Sequence, residues 1–372
     1  KRNKMPVYNM SVGEPDFPTP TNIQNAGIHA IKNGITKYTP GLGTHDLKEA
    51  IQLKLKRDNN LNYNLNEIAV SCGGKHSLYN ACQVLFQSGD EVVIFSPYWV
   101  SFPDFVSVTG AKPVFVKTDS KKQFEPNFED LNKKINNKTK GIIINSPSNP
   151  TGGVWSDEAI KKTLQICKQY DLWIFSDECY EQLTYDIPFK SLASFDLNNK
   201  KIITFQSCSK TYSMTGWRIG YLAGDKQFVS QVGKLQGQST SCPNSIAQHA
   251  ATEALSGSQK SVLQMKEIFL KRRDLVLEML QKMPNVDCEI PFGAFYVFPN
   301  FKHYIGRKKP NGEIVNSSKD LCLYFLSETG VVSVDGDSFG APGYIRFSYA
   351  TSEEIIIKAM NLVLESLKKL SF

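Results

Sequence analysis

The chain has no apolar run approaching the roughly 18 uninterrupted residues that a membrane helix requires, so a helical membrane protein is excluded. It has no C-x-x-C pair and no cluster among its five histidines. Neither a zinc site nor a disulfide scaffold is therefore written into its eight cysteines, at 72, 82, 167, 179, 208, 242, 288 and 322. Long charge runs are missing too. The net charge of +7 is spread over lysines that at most pair, as at Lys121-Lys122 and Lys133-Lys134, which argues against nucleic acid and leaves anionic small molecules as partners. No internal repeat, low-complexity stretch, signal peptide or transit segment is visible. Together these absences predict a cytoplasmic, metal-free protein in a reducing compartment.

What is present is a core. At 372 residues, 41% of them hydrophobic, the chain is sized for one large domain and a smaller one. Seven short β-rich runs recur between amphipathic stretches: 67–72, 91–96, 112–117, 140–146, 171–177, 200–207 and 217–224. Most are continuously apolar ("EVVIFS", "KGIIINS", "DLWIFSD"), the pattern of strands covered by helices on both faces, so they predict a mostly parallel seven-stranded α/β sheet. From about 266 the pattern changes to a long helix at 262–282, short strands near 288–290, 294–298, 331–334 and 344–349, and helices near 317–328 and 352–368. This reads as a smaller α+β unit. The polar insertion 299–316 reads as a mobile surface loop. The expected division is a large domain at 32–265 and a small one made of 1–31 and 266–372.

Ligands of such sheets sit at the carboxyl ends of the strands. Polar and aromatic residues gather there: Gly73-Gly74-Lys75 after the first strand, Trp99 after the second, Asn149 after the fourth, Asp177 at the fifth, and Ser207, Ser209 and Lys210 after the sixth. A turn lysine is ordinarily surface charge. Lys210, however, stands between hydroxyl residues with Arg218 eight positions on, and a fixed positive neighbour with partial burial lowers an amine's pKa enough to make it a nucleophile. Arg218 also suits a phosphate, with Ser207 and Ser209 beside it, and the amides after Gly73 face any anion at the start of the next helix. Asp177 alone reads as a helix N-cap; Tyr180 follows it on the same helical face. Lysine, phosphate cradle, carboxylate, tyrosine, Asn149 and the Trp99 indole are the parts that hold an aromatic phosphorylated aldehyde, and pyridoxal 5′-phosphate fits each one.

At this point the chain resembles the fold type I pyridoxal-phosphate enzymes, specifically class I aminotransferases of the aspartate aminotransferase type. The resemblance runs through "SVGEPDFPTP" 11–20, "ITKYTPGLGTHDLKEAI" 35–51, "SPYWVSFPD" 96–104, "NSPSNPTGGV" 145–154, "SDECYEQLTY" 176–185, "SCSKTYSMTGWRIGY" 207–221, "GAFYVF" 293–298 and "YIRFSYATS" 344–352. It implies that Lys210 is the Schiff-base lysine and proton carrier, that Asp177 pairs with the pyridinium nitrogen, and that Tyr180 and Asn149 bond the phenolic oxygen while Trp99 stacks on the ring. It assigns the phosphate to Gly74, Lys75, Ser207, Ser209 and Arg218, with Tyr38 reaching in from a second subunit of a homodimer. Arg346, otherwise an edge-strand charge, is implied as the fork for the substrate α-carboxylate, with Gly13 closing over it. In the branch carrying "GEPDF", "GGK" and "MTGWRIGY", Lys75 is implied to read a distal carboxylate. The expected reaction moves an amino group between an amino acid, aspartate first, and a 2-oxo acid, 2-oxoglutarate first; prephenate, aromatic or broader substrates are the alternative. Tyr185 and Cys179 are read as structural. A nucleotide-binding oxidoreductase would share the sheet, but no G-x-G-x-x-G follows the first strand. A non-catalytic regulator would bring a DNA-binding module, which this sequence does not contain.

Overall fold

A computed structural model describes residues 6–371. Residues 1–5 and 372 of the expected small unit lie outside the described residues. The first half of the chain runs β1 (Tyr8–Asn9), α1 (Thr21–Lys32), α2 (His45–Asn59), β2 (Ile68–Ser71), α3 (Gly74–Leu85), β3 (Glu91–Ser96), α4 (Ser101–Ser107), β4 (Lys112–Asp119), β5 (Glu125–Pro126), α5 (Phe128–Lys134) and β6 (Thr139–Asn145). Then come α6 (Asp157–Gln169), β7 (Trp173–Asp177), β8 (Ile202–Ser207), α7 (Cys208–Thr211), β9 (Gly220–Ala223), α8 (Lys226–Ser239) and α9 (Ser245–Ser256). The remainder is α10 (Lys260–Gln281), β10 (Tyr296–Val297), α11 (Ser318–Thr329), β11 (Val331–Val332), β12 (Val334–Asp335), β13 (Ile345–Ser348) and α12 (Glu353–Lys368).

The large sheet has the order β2-β9-β8-β7-β6-β3-β4-β5. It holds eight strands where the sequence predicts seven, because β5 adds two residues antiparallel to the end of β4. The β8-β7-β6-β3-β4 stretch is parallel, and β9 runs antiparallel between β2 and β8. The continuously apolar strands have the predicted cause. In β3, Val93 and Phe95 enter one buried cluster while Val92 and Ile94 enter the other; β6 splits Ile142 and Ile144 from Ile143 in the same way. Alternate side chains point to opposite faces and both faces are covered, so each such residue contributes about 1.5–3 kcal/mol of burial.

The second core lies around α10, α11 and α12 with the three-stranded antiparallel sheet β10-β13-β12 and the parallel pair β1-β11. Phe269, Phe325, Ile345, Phe347, Ile356 and Val363 are at its centre. Tyr180, Leu183 and Tyr185, which follow β7, also insert into this core, so the end of a large-sheet strand is held by both halves. Met10 belongs to it as well, whereas Ile23 of α1 packs in the large core, and α1 lies against α9.

Two local expectations are corrected. Residues 288–290 form no strand; a single antiparallel bridge joins Asp287 to Asn300. The 299–316 segment is anchored rather than loose: Phe301, Tyr304 and Val315 are buried, and Lys308 bridges to both Ile314 and Ser371.

Candidate active site

The ends of β7 and β8, the start of α3 and the face of β13 surround one cavity of about 400 Å³. The start of α3 is uncapped, like those of α1, α4 and α10, but it is the one of these whose first residues, Gly74 and Lys75, line the cavity. Helices α2, α6, α9, α11 and α12 are capped by the side chains of Thr44, Ser156, Asn244, Ser317 and Ser352, which satisfy an amide of the first turn. Helix α3 instead begins after Gly73 with no side-chain cap, so its first amides face the cavity at its positive end. Gly73 has φ 91°, and a Cβ on it would collide with the Arg218 guanidinium. Glycine is what lets Arg218 lie beside this helix start. Arg218, at φ 59°, donates to Thr215 O at 2.8 Å and to Cys72 O at 3.4 Å. Across from them Ser207 caps the short α7, accepting from Ser209 N at 3.1 Å and bonding Ser209 Oγ at 2.8 Å. Amides of α3, two hydroxyls and a guanidinium therefore converge at one end of the cavity, a donor set that fits a phosphate.

Lys210, one turn into α7, extends Nζ to the backbone carbonyl of Gly13. Its pKa is lowered, chiefly by desolvation and further by the positive charges of Arg218 and Arg346, while Cys179 and Glu14 oppose the shift. Asp177 ends β7, is 5% exposed, and accepts from Cys179 N at 3.3 Å. Burial raises its carboxyl to about 6, against the lowering pull of the Cys179 hydrogen bonds and of Lys210. Trp99 stands edge-on to Phe102 and Phe105, and the Lys75 ammonium lies 4.9 Å from its ring centre.

At the opposite end Arg346 projects from β13, buried, with Nη1 donating to Asn149 Oδ1 at 2.7 Å and Nη2 to Ser11 O at 2.7 Å. Its Nε is buried with no partner. A buried guanidinium N–H left unpaired is costly, and a carboxylate is the acceptor its geometry suits. With Oδ1 of Asn149 engaged, the amide's two N–H donors remain for another acceptor. Tyr180, 3% exposed, shares a 2.8 Å hydrogen bond with Tyr296.

The cavity thus brings together every residue singled out from the sequence except Tyr38, which is 90% exposed and does not line it within its own chain. It adds residues the sequence reading passed over. Cys179, read as structural, lines the cavity beside Asp177, because the chain turns sharply after β7. Tyr296 lies inside the quoted "GAFYVF" motif; its signal was a polar aromatic within an otherwise apolar strand. Tyr185 is structural as read, donating its hydroxyl to Ala294 O from full burial.

A sequence profile of the family "Aminotransferase class I and II" matches residues 5–361. A "Probable aspartate/prephenate aminotransferase" from Rickettsia bellii is 45% identical over 363 residues, covering 96% of this chain and 91% of the relative. The crystal structure of the aspartate aminotransferase from Rhizobium meliloti superposes with a TM-score of 0.96 at 38% identity, covering 100% of this chain and 93% of the other. An aromatic aminotransferase from Pyrococcus horikoshii superposes at 0.92 with 35% identity, covering 97% and 95%. With that match spanning nearly the whole chain and a phosphate-fitting cradle beside a half-buried lysine, the chain belongs to the class I and II aminotransferases, enzymes that work with pyridoxal 5′-phosphate.

Proposed function

We propose that the chain moves the amino group of aspartate to 2-oxoglutarate in a cleft completed by a second copy of itself. The observation that carries this reading is the pair of opposed ends: a donor-rich cradle at α3 and α7, and a buried Arg346 whose Nε has no acceptor. The first α3 amides at Gly74 and Lys75, with Ser207, Ser209 and Arg218, would hold the cofactor phosphate. Asp177 would face its ring nitrogen, the donors of Tyr180 and Asn149 its phenolic oxygen, and Trp99 its ring. Bound there, pyridoxal phosphate supplies an electron sink for the pair released at the substrate α-carbon.

The chain's own groups do the rest. Arg346 forks onto the α-carboxylate and fixes which bond of the α-carbon faces the ring. Lys210, its amine held below the ordinary lysine range by desolvation and cationic neighbours, takes and returns the proton at that carbon. The Asp177 carboxylate keeps the ring nitrogen protonated, and a protonated partner at short range would draw its own pKa down from the raised value it has without one. Lys75, exposed at the rim beside Trp99, is positioned to meet a second carboxylate, and this favours aspartate and 2-oxoglutarate. The relatives' names carry prephenate and aromatic substrates as the second reading.

Tyr38, exposed and without a place in its own cleft, supports a homodimer in which it reaches the partner's phosphate. Eight unpaired cysteines fit a reducing, cytoplasmic setting, and among the described residues no helix is long and apolar enough to cross a membrane. We take 32–265 as the cofactor-holding unit, and 1–31 with 266–372 as the unit that brings Arg346; the separate cores support this for Met10 and for 266 onward, whereas α1 packs on the former. The test is direct. Cofactor-loaded protein given aspartate and 2-oxoglutarate should form oxaloacetate and glutamate, measured by a coupled assay. A higher kcat/KM for prephenate with the same donor would transfer the function to the second reading, and no exchange with any amino donor would refute both.

A further inference from the structure

Strand β10 places Tyr296 opposite Ser348 on β13, and β12 places Val334 opposite Arg346. Ser348 and Arg346 lie two residues apart on one strand and so share a face. Tyr296 is therefore a diagonal neighbour of Arg346, whose guanidinium carbon lies 4.5 Å from the centre of its ring. The ring is fully buried, stands edge-on to Tyr180 at 5.8 Å and 81°, and brings its hydroxyl to 2.8 Å from that of Tyr180. A Cβ on Gly13 would lie 3.1 Å from the same hydroxyl, so the N-terminal segment closes over this contact.

Two hydroxyls at this distance share one proton between their oxygens, and only one of them donates. If Tyr180 donated, its single proton would be spent on Tyr296 and it could offer the cofactor's ring oxygen only lone pairs. If Tyr296 donates, Tyr180 keeps its proton for that oxygen. We infer that Tyr296 is a positioning residue for the transamination: its hydroxyl donates to Tyr180 and thereby directs Tyr180's own proton at the ring oxygen of the cofactor. The inference rests on the reading above, that Tyr180 donates to that oxygen. The surroundings favour the same polarity. Burial raises both phenols and the Arg346 charge opposes the rise in both, and the Arg346 guanidinium carbon lies 4.5 Å from the centre of the Tyr296 ring.

The test is a pH titration of the visible absorption band of the cofactor-loaded protein in four forms: wild type, Tyr180→Phe, Tyr296→Phe and the double variant. A hydroxyl donated to the ring oxygen favours its unprotonated state, so losing that donor raises the pKa of the band. Tyr180→Phe should raise it by about half to one unit. Tyr296→Phe should raise it in the same direction by less, and should add nothing in the Tyr180→Phe background. It should lower kcat while leaving KM for aspartate within about threefold, since the phenyl ring still lies under Arg346. A thermal melt checks that the variants fold; phenylalanine keeps the packing. An equal shift in both backgrounds, or none in the wild-type background, overturns the role of Tyr296 alone. An unmoved band in Tyr180→Phe removes the Tyr180 reading, and this inference with it.

Discussion

Asp177 and Glu178 are adjacent carboxylates at the end of one strand, both almost fully buried, and burial raises both, to about 6 and about 7. Their surroundings differ. Glu178 points away from the cleft and accepts from Ser176, Ser191, Leu192 N and Gln206. Among the described residues Asp177 receives only Cys179 and otherwise faces the cavity. Two lysines, Lys54 buried and Lys210 half-buried, divide in the same way. Lys54, 2% exposed, donates to Asn59, Gln206 and Glu181, behind the strand ends. Lys210 has one backbone carbonyl and a lowered pKa. For the two carboxylates a raised pKa therefore does not separate the group that faces the cleft from the one that does not; in both pairs the number of satisfied partners does. The face behind the sheet end carries a hydrogen-bonded polar network that holds the strand ends, with Ser176 and Glu178 also lining a second cavity of about 330 Å³, and the cleft face is left with capacity to bind.

The largest expected effect tests the lysines. Lys210→Ala should lower turnover by more than about a thousandfold, because nucleophile and proton carrier go together, while the protein still binds cofactor through the cradle. Lys54→Met should do the reverse. It should leave turnover per folded site within about fivefold but cost roughly 3–5 kcal/mol in denaturant melts, since Glu181 stays buried without its cation. A catalytic collapse in a well-folded Lys54→Met would erase the distinction.

The carboxylates come next. Asp177→Asn should lower kcat by about a hundred- to a thousandfold with little change in melting temperature. Glu178→Gln should keep turnover within a few-fold and lose about 1–3 kcal/mol, because its new amide faces the donating Gln206. Steady-state rates and melts on the same preparations decide this.

The apolar strands were legible because both faces of the sheet are covered, so their residues need not alternate. Strand β5 was not, since two residues ending in proline at a sheet edge leave no periodic trace. Residues 299–316 misled for a related reason: Phe301, Tyr304 and Val315 are single anchors among polar neighbours, and composition averages them away. In the site, the motifs at strand ends carried the parts that face the cleft. Tyr296 and Cys179 escaped because each reaches the cavity through a pairing or turn that joins distant segments, and the Glu178 and Lys54 network was invisible because strand alternation alone does not tell which face is open.

A smaller effect concerns the rim. Lys75→Gln should lower kcat/KM for aspartate and 2-oxoglutarate by about ten- to a hundredfold and spare phenylalanine, because a charge-assisted bond to a second carboxylate is lost while the backbone amide remains. Equal losses for both donors would place Lys75 with the cradle instead.

The smallest effect lies in pH. A carboxyl raised on folding contributes stability below its unfolded pKa that is lost as pH rises through its folded pKa. For Glu178 that window runs from 4.5 to about 7, and for Asp177 from 3.8 to about 6. The melting temperature of Glu178→Gln relative to wild type should therefore climb by a few degrees as pH is raised across the upper window, with or without cofactor. For Asp177→Asn the climb should appear only in cofactor-free protein, where no ring nitrogen meets the carboxylate. Identical behaviour of the two variants in the loaded protein would break the comparison.

The ties that close the cleft, Lys210 to Gly13 and Arg346 to Ser11, join residues 197 and 335 apart in the chain. Strand β1 has no partner until β11 exists. On a ribosome the large sheet and the cradle residues from Gly74 to Arg218 are complete while the chain's first strand still waits for its mate, and domains generally fold in the order they emerge. On the proposed site assignments, a nascent chain of this enzyme would gain the means to grip a phosphate well before it could tell an amino acid from any other amine, and catalytic competence would arrive only with the last short sheet.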